Sequence, residues 1–163
     1  MTEEIIKFDL GDVELLSGEK LTSAVLVAKT WGRLSAARDN VIVLPTYYTG
    51  THGGYAPLVG PGNVFDANHY FVVSPNLFGN GLSTSPSNAI ETNSGPRFPQ
   101  VDVYDNALCP YPLVTPGLVV TDIQLVAGPS MCTTQAFVWP VAFQSLVRRL
   151  SPVSCSPYRP LPN

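Results

Sequence analysis

Three short, continuous apolar runs constrain the fold of this chain most strongly: residues 41–44, 70–74 and 123–127. Each run is rich in β-branched or aromatic residues, lacks polar alternation and ends at turn-forming residues. Runs of this kind are typical of strands that are buried on both faces of a parallel sheet. The sequence therefore predicts an α/β fold in which these three strands are adjacent.

Antiparallel strands are predicted before this sheet. Residues 5–10 and 13–16 are short and β-rich, residues 17–19 form a turn signal, and residues 21–28 follow as the return strand. The stretch of residues 78–99, rich in Gly, Ser, Asn and Pro, is predicted to be an ordered loop, of a length that is usually functional or mobile.

The prolines limit the helices after this loop. Only a short helix near residues 101–108 is expected, because the prolines at 110, 112 and 116 each remove a hydrogen-bond donor. A second helix is predicted over residues 133–139, ended or kinked by Pro140. Residues 147–150 are expected to form a fourth buried strand, and residues 151–163 a frayed, proline-rich tail.

Composition narrows the class of protein. Of the 163 residues, 45% are hydrophobic and only 13% charged, against roughly 25% charged in average domains. Either the strands are covered on both faces, or part of this surface is hidden in a larger body. A net charge of −3 without a run of Lys or Arg gives nucleic acid and acidic membranes no electrostatic basis for binding.

Localisation is predicted from the N-terminus and the cysteines. The acidic start Met1-Thr2-Glu3-Glu4 has no apolar stretch behind it, and no run approaches a membrane span of ~20 residues. The three cysteines are odd in number and irregularly spaced, which favours reduced thiols in the cytoplasm over a Cys132–Cys155 disulfide.

A candidate nucleophile follows the third apolar run. In Gly128-Pro129-Ser130-Met131-Cys132, a predicted strand, a sharp turn carrying Ser130 and a predicted helix come in succession. This arrangement is that of a nucleophile elbow, in which the serine hydroxyl projects above the sheet. The motif G-x-S-x-G lacks its last glycine here, and on the motif alone a serine that merely caps a helix is the better interpretation.

Further motifs, in order along residues 5–151, resemble homoserine O-acetyltransferases and their esterase-like relatives in the α/β-hydrolase superfamily. The resemblance is carried by short segments throughout this range: Thr30-Trp31-Gly32-Arg33-Leu34-Ser35-Ala36-Ala37-Arg38-Asp39-Asn40, Thr49-Gly50-Thr51-His52, Leu58-Val59-Gly60-Pro61-Gly62, Phe65-Asp66, Tyr70-Phe71-Val72-Val73-Ser74-Pro75-Asn76, Phe98-Pro99, Val101-Asp102-Val103 with Asp105, Ser130-Met131, Gln135-Ala136 and Val147-Arg148-Arg149.

The resemblance implies the N-terminal portion of an α/β-hydrolase fold. Residues 1–150 would form a mainly parallel sheet with antiparallel N-terminal strands, truncated before the last strands and the lid. Ser130 would be the nucleophile of an acyl transfer, with the backbone N–H groups of Tyr48 and Met131 as the oxyanion hole. The partners would be a small-molecule acyl donor and acceptor, with no metal and no permanently bound cofactor.

The resemblance leaves two activities open. In an acetyltransferase, acetyl-CoA would be the co-substrate and an amino-acid hydroxyl the acceptor, whereas in an esterase the acceptor would be water. Thr51 stands where the homoserine acetyltransferases are expected to carry an aspartate. This difference favours the esterase-like branch.

Two departures from the family pattern predict impaired catalysis. Pro129 and Cys132 replace other residues of the elbow, and the side chain at 132 is expected to crowd the packing of helix against strand. In addition, no Asp, Glu or His follows Ser130, although the family's acid and base follow the nucleophile in chain order. A non-catalytic remnant, or one piece of a split enzyme, are therefore alternatives. An exposed sheet edge would then allow self-association or pairing with a complementing chain.

The other polar residues of the resembling segments receive structural interpretations. Tyr47 fits aromatic packing at a strand end. His52 is a candidate base, but a simple loop histidine is favoured, and His69 is interpreted as structural. Asp66, Asp102 and Asp105 are interpreted as caps or loop charges. The glycines of Gly53-Gly54 and Gly60-Pro61-Gly62 are interpreted as turn residues.

Overall fold

The structure, a computed structural model, describes residues 2–154 and consists of one six-stranded sheet with helices and long loops. The strand order is β1-β2-β4-β3-β5-β6. The predicted tail of residues 151–163 lies mostly outside the described residues, as does Cys155. The strands are β1 Glu3–Glu14, β2 Lys20–Trp31, β3 Val41–Val43, β4 Phe71–Pro75, β5 Ile123–Pro129 and β6 Leu150–Val153.

The antiparallel N-terminal pair is confirmed, but its first half is one strand rather than two. β1 pairs with β2 from Glu3↔Trp31 to Glu14↔Lys20, with shifts of register around Gly11. Gly11 has a φ of 64° and its N–H donates to Asp9 Oδ1 at 2.8 Å. A glycine in the left-handed region allows a bulge, so the strand bends there instead of ending.

The three apolar runs are adjacent parallel strands, as predicted. β3 lies between β4 and β5 and is parallel to both. Its side chains alternate between two buried clusters: Val41 and Val43 contribute to one, and Ile42 contributes to the other. Burial on both faces explains why these strands are uniformly apolar. It also brings their carboxyl ends to one edge of the sheet.

The long loop of residues 78–99 is ordered through its polar side chains. Ser83 Oγ accepts the Val27 N–H at 3.0 Å, and Thr84 Oγ1 accepts the Val25 N–H at 2.7 Å. Farther along, Asn93 binds the backbone of Thr22 through Oδ1 at 2.8 Å. The loop thus satisfies the backbone of β2 where no neighbouring strand does.

The proline-rich segment forms only one short α-helix, as predicted. Helix α1 spans Val103–Leu108, and Asp102 with Asp105 forms a capping box at its start. Both aspartates are therefore caps, which was their predicted role. Beyond α1, Leu113–Gly117 forms a single π-helical turn containing Pro116.

Two predicted elements of the C-terminal region have other bounds in the structure. Helix α2 spans Met131–Ala142 rather than residues 133–139, so Pro140 lies inside it and does not end it, and the alternative of a kink at Pro140 stays a prediction. A proline near the last turn removes only one hydrogen bond of the helix, which the remaining packing tolerates. The fourth strand is β6, Leu150–Val153, and not residues 147–150; its residues are largely exposed because, in the described part of the chain, it pairs with β5 alone. Residues 151–153 therefore belong to the sheet and not to the tail.

No helix within residues 2–154 is long and apolar enough to cross a membrane.

Candidate active site

Ser130 lies at the junction of β5 and α2 in a strained backbone conformation. Its φ is 56° and its ψ is −128°, and its side chain is exposed. A non-glycine residue in such a region costs of order 1–3 kcal/mol and persists only where its surroundings enforce it. The position between a parallel strand and a helix, together with this conformation, is that of a nucleophile elbow.

Hydrogen bonds from β6 and α2 enforce this conformation. The Ser130 N–H donates to the Val153 carbonyl at 3.0 Å, and the Ser130 carbonyl accepts the Thr133 N–H at 2.9 Å. The Thr133 hydroxyl lies 2.8 Å from the Gly128 carbonyl and 2.9 Å from that of Val153, and it accepts the Val153 N–H at 3.2 Å. Thr133 thus ties the end of β6 to both sides of the elbow.

Cys132 fits the elbow without the crowding that its side chain was expected to cause. It is fully buried, and its Cβ lies 2.5 Å from the place that a Cβ on Gly128 would occupy. The glycine that begins the motif therefore supplies the space that the missing last glycine would otherwise provide. Cys132 is a free thiol, and burial raises its pKa to about 11, so it is not a nucleophile at neutral pH.

The candidate oxyanion loop follows β3 and ends in a tight turn. The Gly50 N–H donates to the Tyr47 carbonyl at 2.8 Å, and Thr49 has a φ of 63°. The Tyr47 ring packs against Gly50 and Gly54, where a Cβ would come within 2.5 Å and 2.2 Å of its atoms. Tyr47 therefore packs as predicted, and Gly54 serves this contact in addition to the turn.

The amides of the two proposed oxyanion donors are unpaired within the described part of the chain. Neither the Tyr48 N–H nor the Met131 N–H donates to a group in residues 2–154. The Tyr48 side chain is 74% exposed. Met131 opens helix α2, so its amide also carries the positive end of the helix dipole.

Two buried side chains join this loop to the elbow. The Tyr55 hydroxyl lies 2.8 Å from the Pro45 carbonyl and 3.3 Å from Cys132 Sγ. Gln135, on the buried side of α2, donates from Nε2 to the Thr46 carbonyl at 3.0 Å. The structure thus brings the loop after β3 and the turn after β5 together. The sequence analysis did not single out Tyr55, and it mentioned Gln135 only as part of a motif.

His52, the candidate base, is engaged elsewhere. Its ring Nδ1 lies 2.9 Å from Asn76 Nδ2, and its backbone N–H donates to Asn76 Oδ1 at 3.1 Å. Because the amide oxygen already accepts, Asn76 donates to Nδ1, and the neutral ring carries its proton on Nε2. Burial lowers the pKa of His52. Its contacts are those of a structural loop histidine.

His69 lies at the surface, away from these contacts. Its side chain is 76% exposed and its Nε2 is 3.9 Å from Asp66 Oδ2. Asp66 Oδ1 accepts the Asn68 N–H at 2.9 Å, which is a turn cap of the predicted kind. Thr51, which stands in place of an aspartate, caps the 3₁₀ helix His52–Leu58 by accepting the Gly53 N–H.

The Ser130 hydroxyl has no base within reach in the described part of the chain. It makes no hydrogen bond to residues 2–154, and the sequence contains no Asp, Glu or His after it. A serine hydroxyl needs a positioned base at about 3 Å to become a strong nucleophile. Within residues 2–154 the site therefore contains the elbow and two free amides, but not a complete triad.

Proteins with similar sequences are esterases and homoserine O-acetyltransferases. The protein named "Probable esterase" of Corynebacterium glutamicum is 33% identical, and an ethyl acetate hydrolase of Pseudomonas veronii 30% identical, each over 147 residues. A homoserine O-acetyltransferase of Leifsonia xyli is 30% identical over 158 residues. These matches cover 87–90% of this chain but only 39–42% of the relatives, so the chain spans about two fifths of their length. No protein-family model matches the sequence.

Solved structures of esterases and of a homoserine O-acetyltransferase also superpose on this chain. The acetyl esterase MekB superposes with a TM-score of 0.85 at 30% identity, covering 92% of this chain and 43% of that one. An acetylester hydrolase from Corynebacterium glutamicum superposes with a TM-score of 0.85 at 32% identity, covering 91% and 43%. A homoserine O-acetyltransferase from Bacillus anthracis, at 23% identity and a TM-score of 0.83, shares the fold.

Proposed function

We propose that this chain, which has the α/β-hydrolase fold and is homologous to the N-terminal part of esterases and homoserine O-acetyltransferases, takes part in acyl transfer through Ser130. The observation that carries the proposal is the strained conformation of Ser130, with φ 56° and ψ −128°, between β5 and α2. Backbone strain at an exposed polar residue has no structural benefit of its own, and it is a recurring feature of active sites.

The chemistry follows from the groups around Ser130. Its Oγ attacks the carbonyl carbon of a small acyl ester, and the hydroxyl proton passes to a base. The carbonyl oxygen becomes an oxyanion, which accepts hydrogen bonds from the Tyr48 and Met131 amides. Collapse of the intermediate releases the alcohol or thiol and leaves an ester on Ser130, and water or an acceptor hydroxyl then removes the acyl group.

Short acyl esters are the proposed substrates, with water as the acceptor. Thr51, in place of an aspartate, only caps a 3₁₀ helix, so the loop offers no carboxylate to an amino group of an acceptor. Relatives named as an ethyl acetate hydrolase and an esterase support the same choice. The alternative is acetyl transfer from acetyl-CoA to an amino-acid hydroxyl such as that of homoserine.

The base is proposed to come from outside residues 1–163. Neither imidazole of the chain is placed to activate Ser130, because His52 binds Asn76 and His69 lies beside Asp66. A second polypeptide, added along β6, could bring an acid and a base to the elbow. The observation that favours it is the position of β6, whose Val153 carbonyl binds Ser130 and whose outer side is exposed. Without such a partner, the chain would be a poor catalyst or a non-catalytic remnant.

A comparison of two substrates tests the proposal. Purified residues 1–163 are assayed with p-nitrophenyl acetate, and separately with acetyl-CoA plus homoserine. We expect slow release of p-nitrophenol from the ester that is lost in Ser130→Ala and kept in Ser145→Ala, which alters an exposed serine beyond the far end of α2. Equal rates in Ser130→Ala would contradict the proposal, and acetylhomoserine as the main product would favour the alternative.

We propose the cytoplasm as the location of this activity. The free, buried thiols of Cys109 and Cys132 suit a reducing compartment.

A further inference from the structure

We propose that Tyr55 and Gln135 are positioning residues that hold the Tyr48 amide at a fixed place relative to Ser130. The proposal deepens the acyl-transfer function and rests on it. It starts from the fact that the two amides of the oxyanion hole belong to segments far apart in sequence, one after β3 and the other at the start of α2. Something must set the distance between them.

Tyr55 is the first connection. Its side chain is almost fully buried, and its hydroxyl stands between the Pro45 carbonyl at 2.8 Å and Cys132 Sγ at 3.3 Å. Its single proton makes the shorter and stronger bond with the carbonyl. Its ring packs edge-on against Tyr47, with centroids 6.2 Å apart. Tyr55 thus contacts the loop on both sides of Thr46 and touches the helix that begins at the nucleophile.

Gln135 is the second connection. It is buried on α2, and its Nε2 donates to the Thr46 carbonyl at 3.0 Å. Thr46 is itself held at its other polar groups, since its N–H donates to the Pro75 carbonyl and its Oγ1 accepts the Leu77 N–H. The Gln135 amide and the Thr46 carbonyl are both buried, so a shift of the loop relative to α2 would leave both polar groups without a hydrogen bond. Such unpaired buried groups cost free energy, which fixes the loop in its place against the helix.

Together the two contacts define where the Tyr48 amide can lie. Pro45 and Thr46 are anchored to the helix side of the site, and Tyr48 follows two residues later, before the turn closed by Gly50. A displacement of about 1 Å at this amide would lengthen its hydrogen bond to the oxyanion beyond the useful range. Removing either connection should therefore weaken binding of the tetrahedral state more than it weakens the fold.

The test uses methylboronic acid, because it mimics the tetrahedral state and needs no enzymatic base. The Ser130 oxygen forms a bond to boron, the adduct becomes tetrahedral and anionic, and the hydroxyl proton goes to the buffer. Adduct formation is measured by ¹¹B NMR in the wild type and in Tyr55→Phe and Gln135→Met. Exchange of the Gly50 amide hydrogen, which is bonded to the Tyr47 carbonyl at 2.8 Å, is measured in the same proteins without boronate, as a direct report on the loop.

Controls separate positioning from stability. Tyr104→Phe removes a hydroxyl from an exposed tyrosine on α1, and Val114→Ala destabilises the core cluster on the face of the sheet opposite Tyr55. Ser130→Ala removes the reacting oxygen.

We expect the affinity for boronate to fall about tenfold in Tyr55→Phe and Gln135→Met, the equivalent of about 1.4 kcal/mol, with faster exchange of the Gly50 amide. The two control variants at 104 and 114 should stay within about twofold of the wild type, since hydrogen bonds near the Tyr48 amide are unchanged. The proposal is wrong if Tyr55→Phe and Gln135→Met bind like the wild type, or if Val114→Ala loses as much affinity. If Ser130→Ala retains the adduct while Gly50 exchange still responds to Tyr55→Phe, then the nucleophile is misassigned but the positioning stands.

Discussion

Cys132 packs directly against Gly128, so that a Cβ added to Gly128 would lie 2.5 Å from the Cβ of Cys132. The two residues stand at opposite ends of the elbow, one at the end of β5 and the other in the first turn of α2. Their contact lets the strand and the helix approach each other at Ser130. It also explains how the turn tolerates a cysteine where the family motif has glycine.

Substitution of Gly128 is expected to be destabilising, and a second substitution, at Cys132, should restore stability. Gly128→Ala should lower the free energy of unfolding by about 1–3 kcal/mol, because overpacking forces the helix away from the strand. Gly128→Ala combined with Cys132→Gly should lose much less than the sum of the two single variants. Urea denaturation measures all three, with Gly53→Ala as the control, since a Cβ there meets nothing closer than 3.4 Å. If the double variant lost as much unfolding free energy as the two single variants together, the contact between residues 128 and 132 would not be the cause of the destabilisation.

The strain at Ser130 predicts a gain of stability when it is released. Ser130→Gly should be more stable than Ser130→Ala by about 1 kcal/mol, because glycine adopts a φ of 56° freely whereas alanine keeps the strain. The thermal midpoints of the two variants give this difference without reference to any lost hydroxyl. Equal midpoints would mean that the surroundings relax and that the conformation is not strained.

Buried thiols make the fold sensitive to alkaline pH. Burial raises the pKa of Cys132 to about 11 and that of Cys109 to about 12, from an ordinary value of 9.0. Above pH 9 the unfolded thiols lose their protons while the folded ones keep them, so stability falls as pH rises towards these values. In Cys132→Ala the decline between pH 9 and 11 should be shallower by up to about 1.4 kcal/mol per pH unit. An unchanged slope in urea titrations would contradict the assignment.

His52 predicts the opposite behaviour at acidic pH. Burial lowers its pKa below the ordinary 6.5, so the unfolded chain takes up a proton first and stability is lost as pH falls through this range. NMR titration of the ring should show the lowered pKa, and Asn76→Asp should raise it by placing a carboxylate beside Nδ1. Residual release of p-nitrophenol from p-nitrophenyl acetate should be unaffected by His52→Ala. A clear loss of rate in His52→Ala would identify it as an unexpected base.

Local patterns predicted the frame of this fold, and long-range contacts decided the rest. The buried strands were recognisable because residues covered on both faces must be continuously apolar. The bulge at Gly11 was missed because a glycine in a β-rich stretch signals an end of a strand as readily as a bend. Helix α2 ran past Pro140 because tertiary packing outweighed one lost hydrogen bond.

In the candidate site, too, local sequence patterns predicted some residues, and long-range contacts decided the others. Ser130 could be proposed from a strand, a turn and a helix in succession, all within a few residues. Tyr55 and Gln135 could not, because their partners lie 77 and 89 residues away in sequence. The compensation of Cys132 by Gly128 was visible only once the packing of the helix on the strand was known. Polar residues whose partners are distant leave no local pattern that could reveal them.

Acylation of Ser130 is the most direct measure of the central claim. The purified chain is mixed with p-nitrophenyl acetate, quenched in acid and digested, and each peptide is examined by mass spectrometry. We predict an acetyl group on Ser130 that persists, because no base is placed to activate the water that would remove it. The peptide should be unmodified in Ser130→Ala. Acetyl groups confined to lysines or the N-terminus, with none on Ser130 in the wild type, would contradict the account.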